Sequence, residues 1–135
     1  MIPSIHDSVT ESFSFTQDKV ILFAELSGDK NPLHLDEEYA KTTIFGKPII
    51  HGFLGGSVFS KMLASNFWGK GTIYLQQDMK FLKPMYVNEL YKATLTINDI
   101  KTEKNIAFIS TQITTTAGDL VTIGTATIKF PKNKL

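Results

Sequence analysis

The chain has 135 residues, 42% hydrophobic and 20% charged, with a formal net charge of +1. That is the size of one domain, spanning residues 1–135, with enough core to fold without metals or disulfides. The charge balance argues against nucleic-acid partners and polybasic membrane binding, and the absence of cysteine removes disulfide frameworks, thiolate nucleophiles and Cys-ligated zinc.

The N-terminus carries neither a basic, apolar leader nor an Arg-rich amphipathic stretch, so no targeting segment is expected. Residues 10–15 alternate in polarity and predict a short strand. Thr16 then offers an N-cap hydroxyl, and Val20, Ile21, Phe23, Ala24 and Leu26 continue as an amphipathic helix stopped by Gly28. Pro32 disfavours a helical Asn31, so residues 28–36 read as a shaped loop. Asp36 caps a short helix over residues 37–42, which Gly46 and Pro48 break. Residues 51–66 predict a long buried helix: Leu54, Val58 and Met62 form one stripe, with Phe59 and Leu63 beside it. Its other face holds Gly52, Gly55, Gly56, Ser57, Ser60 and Ala64, and so many small residues imply close approach to other backbone or to a ligand. The richest apolar window, residues 53–67, is broken by Ser57, Ser60, Lys61 and Ser65 and is too interrupted to span a membrane. Four β runs follow, at 72–82, 87–100, 106–116 and 120–130, with a hairpin turn at Ala117-Gly118-Asp119 and a longer turn from Lys101 to Asn105. Four or five antiparallel strands and one long helix define an α+β domain, most simply a sheet curled around that helix.

Several apparent motifs fail. Gly55-Gly56-Ser57-Val58-Phe59 has Phe59 where a nucleophile elbow needs glycine, and Gly69-Lys70-Gly71-Thr72 lacks the spacing of a phosphate loop. A metal site from His34, Asp36 and His51 is conceivable, although the spacing is generic. Two segments carry more. Asp29 lies five residues before His34 with an Asn-Pro turn between them. On spacing alone this is either a carboxylate–imidazole pair holding one water for acid/base work, or a local arrangement in which Asp29 and Asn31 bond the turn while His34 packs over the sheet. Residues 46–54 end where the glycine-rich helix begins. Gly52 there either offers a free N–H to a developing oxyanion or merely permits tight packing.

Ser27-Gly28-Asp29-x-Asn31-Pro32-Leu33-His34-x5-Ala40 resembles the signature of the (R)-specific enoyl-CoA hydratases, the hydratase 2 group of the MaoC-like hot-dog family. Phe45-Gly46-x-Pro48-Ile49-x-His51-Gly52-x-Leu54-x-x-Ser57-x-x-Ser60 is similar to the same group, and so are Gly69-Lys70-Gly71-x-Ile73-Tyr74-Leu75 and the strands that follow. The likeness covers nearly the whole chain and is nearest to short bacterial hydratases that feed polyhydroxyalkanoate synthesis. It implies a hot-dog fold and reversible addition of water to a trans-2-enoyl-CoA, giving (R)-3-hydroxyacyl-CoA. Asp29 and His34 match the catalytic pair and Gly52 the oxyanion donor. Asn31, Ser60 and His51 match groups behind or beside the site, with His51 orienting loop backbone. Phe59 and Leu63 would line an acyl tunnel, and Lys70, Lys80 and Lys83 are candidates for the CoA phosphates. No metal or organic cofactor is implied, because the thioester itself is the electron sink. The resemblance further implies a homodimer in the cytoplasm, with acyl-CoA as partner and neither nucleic acid nor membrane involved.

Other functions remain alongside this one: a hydroxyacyl-thioester dehydratase acting on acyl carrier protein, a hot-dog acyl-CoA thioesterase, and a non-catalytic acyl-CoA-binding subunit. The first calls for a basic surface that a +1 chain does not advertise. The second would release free thiol. The third would have no need of both Asp29 and His34.

Overall fold

The structure is a computed structural model and describes residues 2–132. Strand β1 (Ser8–Phe13) leads into helix α1 (Gln17–Ser27), the one-turn helices α2 (Pro32–Leu35) and α3 (Glu37–Lys41), and the long helix α4 (Gly52–Ser65). Strands β2 (Ile73–Gln77), β3 (Lys80–Phe81), β4 (Tyr91–Lys101), β5 (Ile106–Thr115) and β6 (Leu120–Lys129) complete the chain. All pair antiparallel in one six-stranded sheet of order β1-β4-β5-β6-β2, with β3 also on β6. The sheet wraps α4 without closing. Leu54, Val58, Phe59, Met62 and Leu63 of the helix share one core with Leu95, Ile97, Ile109, Ile113 and Ile128 of the sheet. This is the expected curled sheet around a central helix.

Local chemistry explains the helix ends. The Thr16 hydroxyl accepts from Lys19 N, and Gly28 closes α1 at φ 81°, a left-handed conformation that glycine adopts without strain. The expected loop at 28–36 contains a helical turn after all. Pro32 cannot follow a helical residue but is well suited to the first helical position, and Asn31 caps the turn by accepting from Leu33 N. Asp36 caps α3, as its position implied, by accepting from Glu38 N and Tyr39 N.

Three boundaries differ from the sequence reading. The first strand is Ser8–Phe13 rather than 10–15, because its register on β4 begins at the Ser8–Thr96 pair. The 87–100 run starts as strand only at Tyr91. The 72–82 run divides into β2 and β3. The register on β6 slips between Tyr74 and Gln76, and Asp78 then leaves the ladder to cross Gly124, its N–H on the Thr125 carbonyl and its carboxylate accepting from Thr125 N.

The small-residue face of α4 also has a more specific explanation than expected. Phe81 occupies the space a Cβ would need at Gly52, Met85 that at Gly55 and Met79 that at Gly56. The glycines thus admit side chains from the 79–85 segment. Phe53, Ser57, Ser60 and Ala64 remain exposed, so α4 is buried on one side only.

The Asp78 crossing generates a prediction. A Cβ at position 124 would overlap the Asp78 backbone carbonyl, which cannot rotate away as a side chain could. Gly124→Ala is expected to cost about 2–3 kcal/mol. A lower urea midpoint at unchanged slope would register this, followed through the single tryptophan, Trp68, which is buried and stacked 4.2 Å from Phe130.

Candidate active site

Asp29 follows the glycine stop of α1, His34 lies on α2, and His51 is the N-cap residue of α4. These three side chains converge: one ligand-capable atom from each lies within 4.8 Å of the other two. His34 and His51 are buried while Asp29 is exposed. The imidazoles stack with centroids 3.9 Å apart and planes 28° apart, and the Phe23 ring lies 4.8 Å from His51, tilted by 59°.

Hydrogen bonds to backbone fix both tautomers. His34 Nδ1 is 2.6 Å from the Ile49 carbonyl, and His51 Nε2 is 3.0 Å from the Asp29 carbonyl. A carbonyl only accepts, so His34 carries its proton on Nδ1 and His51 on Nε2. The neutral His34 ring therefore keeps its lone pair on Nε2, which has no protein partner among the described residues and remains open to solvent. His51 Nδ1 is sealed from solvent with no protein partner among the described residues. Burial pushes the His34 imidazole below its ordinary value of 6.5. The Ile49 carbonyl opposes that shift, His51 adds to it, and Asp29 opposes it.

The support behind His34 is built from distant segments. Ile49 bridges to Tyr86, Ile50 N–H donates to the Met85 carbonyl at 2.8 Å, and Ile49 N–H donates to the Leu33 carbonyl at 3.3 Å. Gln17, the first residue of α1, donates its side-chain amide to the His34 carbonyl at 3.0 Å. Neither the Ile49 carbonyl nor Gln17 was recognisable in the sequence, because a backbone acceptor has no residue signature and one glutamine at a helix start is unremarked. Asn31 shapes the loop: its side chain caps α2, and its backbone N–H donates to Asp29 Oδ1 at 3.3 Å.

His34 and Gly52 both line a cavity of about 340 Å³, otherwise walled largely by apolar side chains including Phe45, Ile49, Phe53, Phe81 and Met85. Gly52 N–H is the first of α4 and has no acceptor among the described residues, so it is available to an anion at the positive end of the helix. Of the three lysines, Lys83 lines this cavity and Lys70 and Lys80 do not. Lys83 is also 4.0 Å from Asp119, both being more than half exposed. Ser60 and Leu63 line a separate cavity of about 90 Å³ with Thr72, Tyr74 and Ile128, and Phe59 is wholly within the core.

The convergent trio also corrects the metal arithmetic. Asp29, not Asp36, joins the two histidines, since Asp36 is committed to capping α3. Imidazole lone pairs lie in the ring plane. Two rings stacked at 3.9 Å cannot both direct theirs at one ion about 2.1 Å away, so the stacked arrangement is poorly suited to a metal.

A curled antiparallel sheet around one helix, with His34 facing an apolar cavity beside a helix N-terminus and Asp29 close behind it, is the architecture of a hot-dog protein. The chain belongs to the MaoC-like domain family, whose pattern matches residues 5–118. It is 42% identical over 113 residues to an (R)-specific enoyl-CoA hydratase from Aeromonas caviae, a match covering 84% of each chain. It is 36% identical to another from Rhodospirillum rubrum, over 87% of this chain and 81% of that one. The solved structure of an (R)-hydratase from A. caviae superposes with a TM-score of 0.92 at 39% identity, covering 96% of this chain and 98% of that one.

The depressed His34 value has a definite sign. The folded state resists a proton that the unfolded chain accepts, so His34 favours folding fully above 6.5 and loses that contribution as the pH falls through its folded value. Folding stability is expected to decline from pH 7 to pH 5, with a shallower decline in His34→Gln. Denaturant titrations at the two pH values, with an NMR titration of the His34 ring placing its midpoint below 6.5, check this.

Proposed function

We propose that the protein is an (R)-specific enoyl-CoA hydratase in which Asp29 and His34 hold and activate one water. The single observation that carries the site assignment is the His34 tautomer, with Nδ1–H spent on the Ile49 carbonyl and the Nε2 lone pair left to accept from a water at the cavity wall. Asp29, exposed and within 4.8 Å of the histidines, supplies the second acceptor. The names of the relatives support the reaction itself.

The water oxygen forms a bond to C3 of the trans-2-enoyl thioester as the C2–C3 double bond opens toward C2. One water proton is taken by the Asp29/His34 pair, and one proton is delivered to C2 on the same face, so the elements of water are added and the enzyme is regenerated. Charge that builds on the thioester oxygen during addition is met by Gly52 N–H, an interaction of the kind worth about 3 kcal/mol in the transition state. The apolar cavity would receive the acyl portion, and Lys83, which lines it, is the lysine this reading assigns to a CoA phosphate.

The proposal extends to a homodimer. β2 lies at a sheet edge with Ile73, Tyr74 and Leu75 exposed, and Phe53 and Phe81 are exposed near the same helix face, so a second copy pairing there would protect both edge and apolar surface. A cytoplasmic location and supply of (R)-3-hydroxyacyl-CoA to polymer synthesis belong to the same proposal, through the resemblance to the short bacterial hydratases.

Purified protein mixed with trans-2-butenoyl-CoA should deplete the conjugated enoyl-thioester absorbance and yield (R)-3-hydroxybutyryl-CoA, with no thiol released in a parallel reaction. Asp29→Asn and His34→Ala should each lower kcat by about 100- to 10,000-fold while the circular dichroism spectrum is kept. Thiol release would instead indicate a thioesterase. Turnover confined to carrier-protein substrates would indicate the dehydratase. Near-normal rates in either variant would refute the assigned pair.

A further inference from the structure

Each proposed catalytic residue is held at its own backbone carbonyl by a side-chain N–H from the start of a long helix. His51, N-cap of α4, donates Nε2–H to the Asp29 carbonyl at 3.0 Å. Gln17, first residue of α1, donates its amide to the His34 carbonyl at 3.0 Å. Both helices are anchored in the core, α1 through Val20 and Ala24 and α4 through Leu54, Val58, Phe59 and Met62. Between the tethers the segment also meets Ile49, whose N–H donates to the Leu33 carbonyl and whose carbonyl accepts from His34 Nδ1, and its other side-chain bonds are local: Asn31 N–H to Asp29 and Leu33 N–H to Asn31.

We propose that Gln17 and His51 are a pair of positioning residues that clamp the Asp29–His34 segment at both ends and hold it in register with Gly52 N–H. Residue 51 precedes Gly52 directly, so one residue joins the segment carrying the acid/base pair to the oxyanion donor. Its ring also bears on His34 face to face, limiting rotation of that imidazole. His51 serves this role at a stability cost, because its Nδ1 is sealed from solvent and unpartnered among the described residues. A residue selected only for packing would not need that nitrogen. Gln17 is half-buried and spends its amide on one carbonyl 17 residues away, which no local helix geometry requires.

The kinetic arm of the test rests on the hydratase reading; the structural arm does not. His51→Phe keeps an aromatic ring and removes the donor, Gln17→Met keeps length and removes the amide, and His51→Gln keeps a donor at the distance of Nε2. In His51→Phe, kcat on trans-2-butenoyl-CoA should fall about 10- to 100-fold with KM within two-fold, and the melting temperature should not decrease. His51→Gln should recover part of the loss. Gln17→Met should lower kcat several-fold, and the double variant should lose less than the product of the single losses, because both tethers hold one segment. Amide exchange in residues 28–34 should quicken in His51→Phe and Gln17→Met. Wild-type kcat in the folded variants, with unchanged exchange over 28–34, overturns the clamp. If the wild-type protein shows no turnover of butenoyl-CoA, the hydratase reading falls, and exchange alone then decides the clamp: faster exchange in the variants supports it and unchanged exchange overturns it.

Discussion

The hydrogen bond from His34 Nδ1 to the Ile49 carbonyl is the interaction on which the chemistry of the site depends. It selects one tautomer of a buried imidazole and so decides which nitrogen can meet a water. A single bond to a backbone atom is only as informative as that atom is fixed. Ile49 is fixed on two sides, by its bridge to Tyr86 and by its own N–H on Leu33. Tyr86 N–H in turn donates to the Tyr91 hydroxyl at the start of β4. The orientation of one ring is thereby referred, through backbone and then the Tyr91 side chain, to the rigid sheet.

Burial and charge act together on the same ring. Desolvation favours neutral His34, the stacked His51 acts in the same direction, and Asp29 pulls the other way. Desolvation is the largest of these effects and favours the neutral imidazole, the form whose Nε2 can accept from a water.

Much of this was legible in the sequence, and the reasons differ from residue to residue. On spacing alone the Asp29/His34 pair and the Gly52 N–H each stood beside a packing alternative, and only the resemblance to the hydratase signature joined them as one site. The one-turn helix at Pro32 was missed because proline's effect on its predecessor was weighed and its fitness for a first helical position was not. Ser60 stands eight residues beyond Gly52, about 12 Å along the helix axis, and that rise carries it from the cavity lined by His34 to a different one. Helical phase predicts a shared face and says nothing about how far along that face a cavity extends. The division of the 72–82 run was illegible because it depends on a crossing of Asp78 over Gly124, a contact between residues 46 positions apart.

The three glycines of α4 are filled by Phe81, Met85 and Met79, and Phe81 and Met85 also wall the cavity that contains Gly52. The shape of the recess is therefore set by flexible thioether and aromatic groups borrowed from a neighbouring segment, whereas its reactive atoms hang on backbone and buried imidazole. Unbranched methionine adapts its rotamers at little expense. Evolutionary drift in the 79–85 segment can remould the volume offered to a ligand while the geometry of Asp29, His34 and Gly52 is inherited unchanged, so diversification of what fits and retention of what reacts are written in separate stretches of the chain.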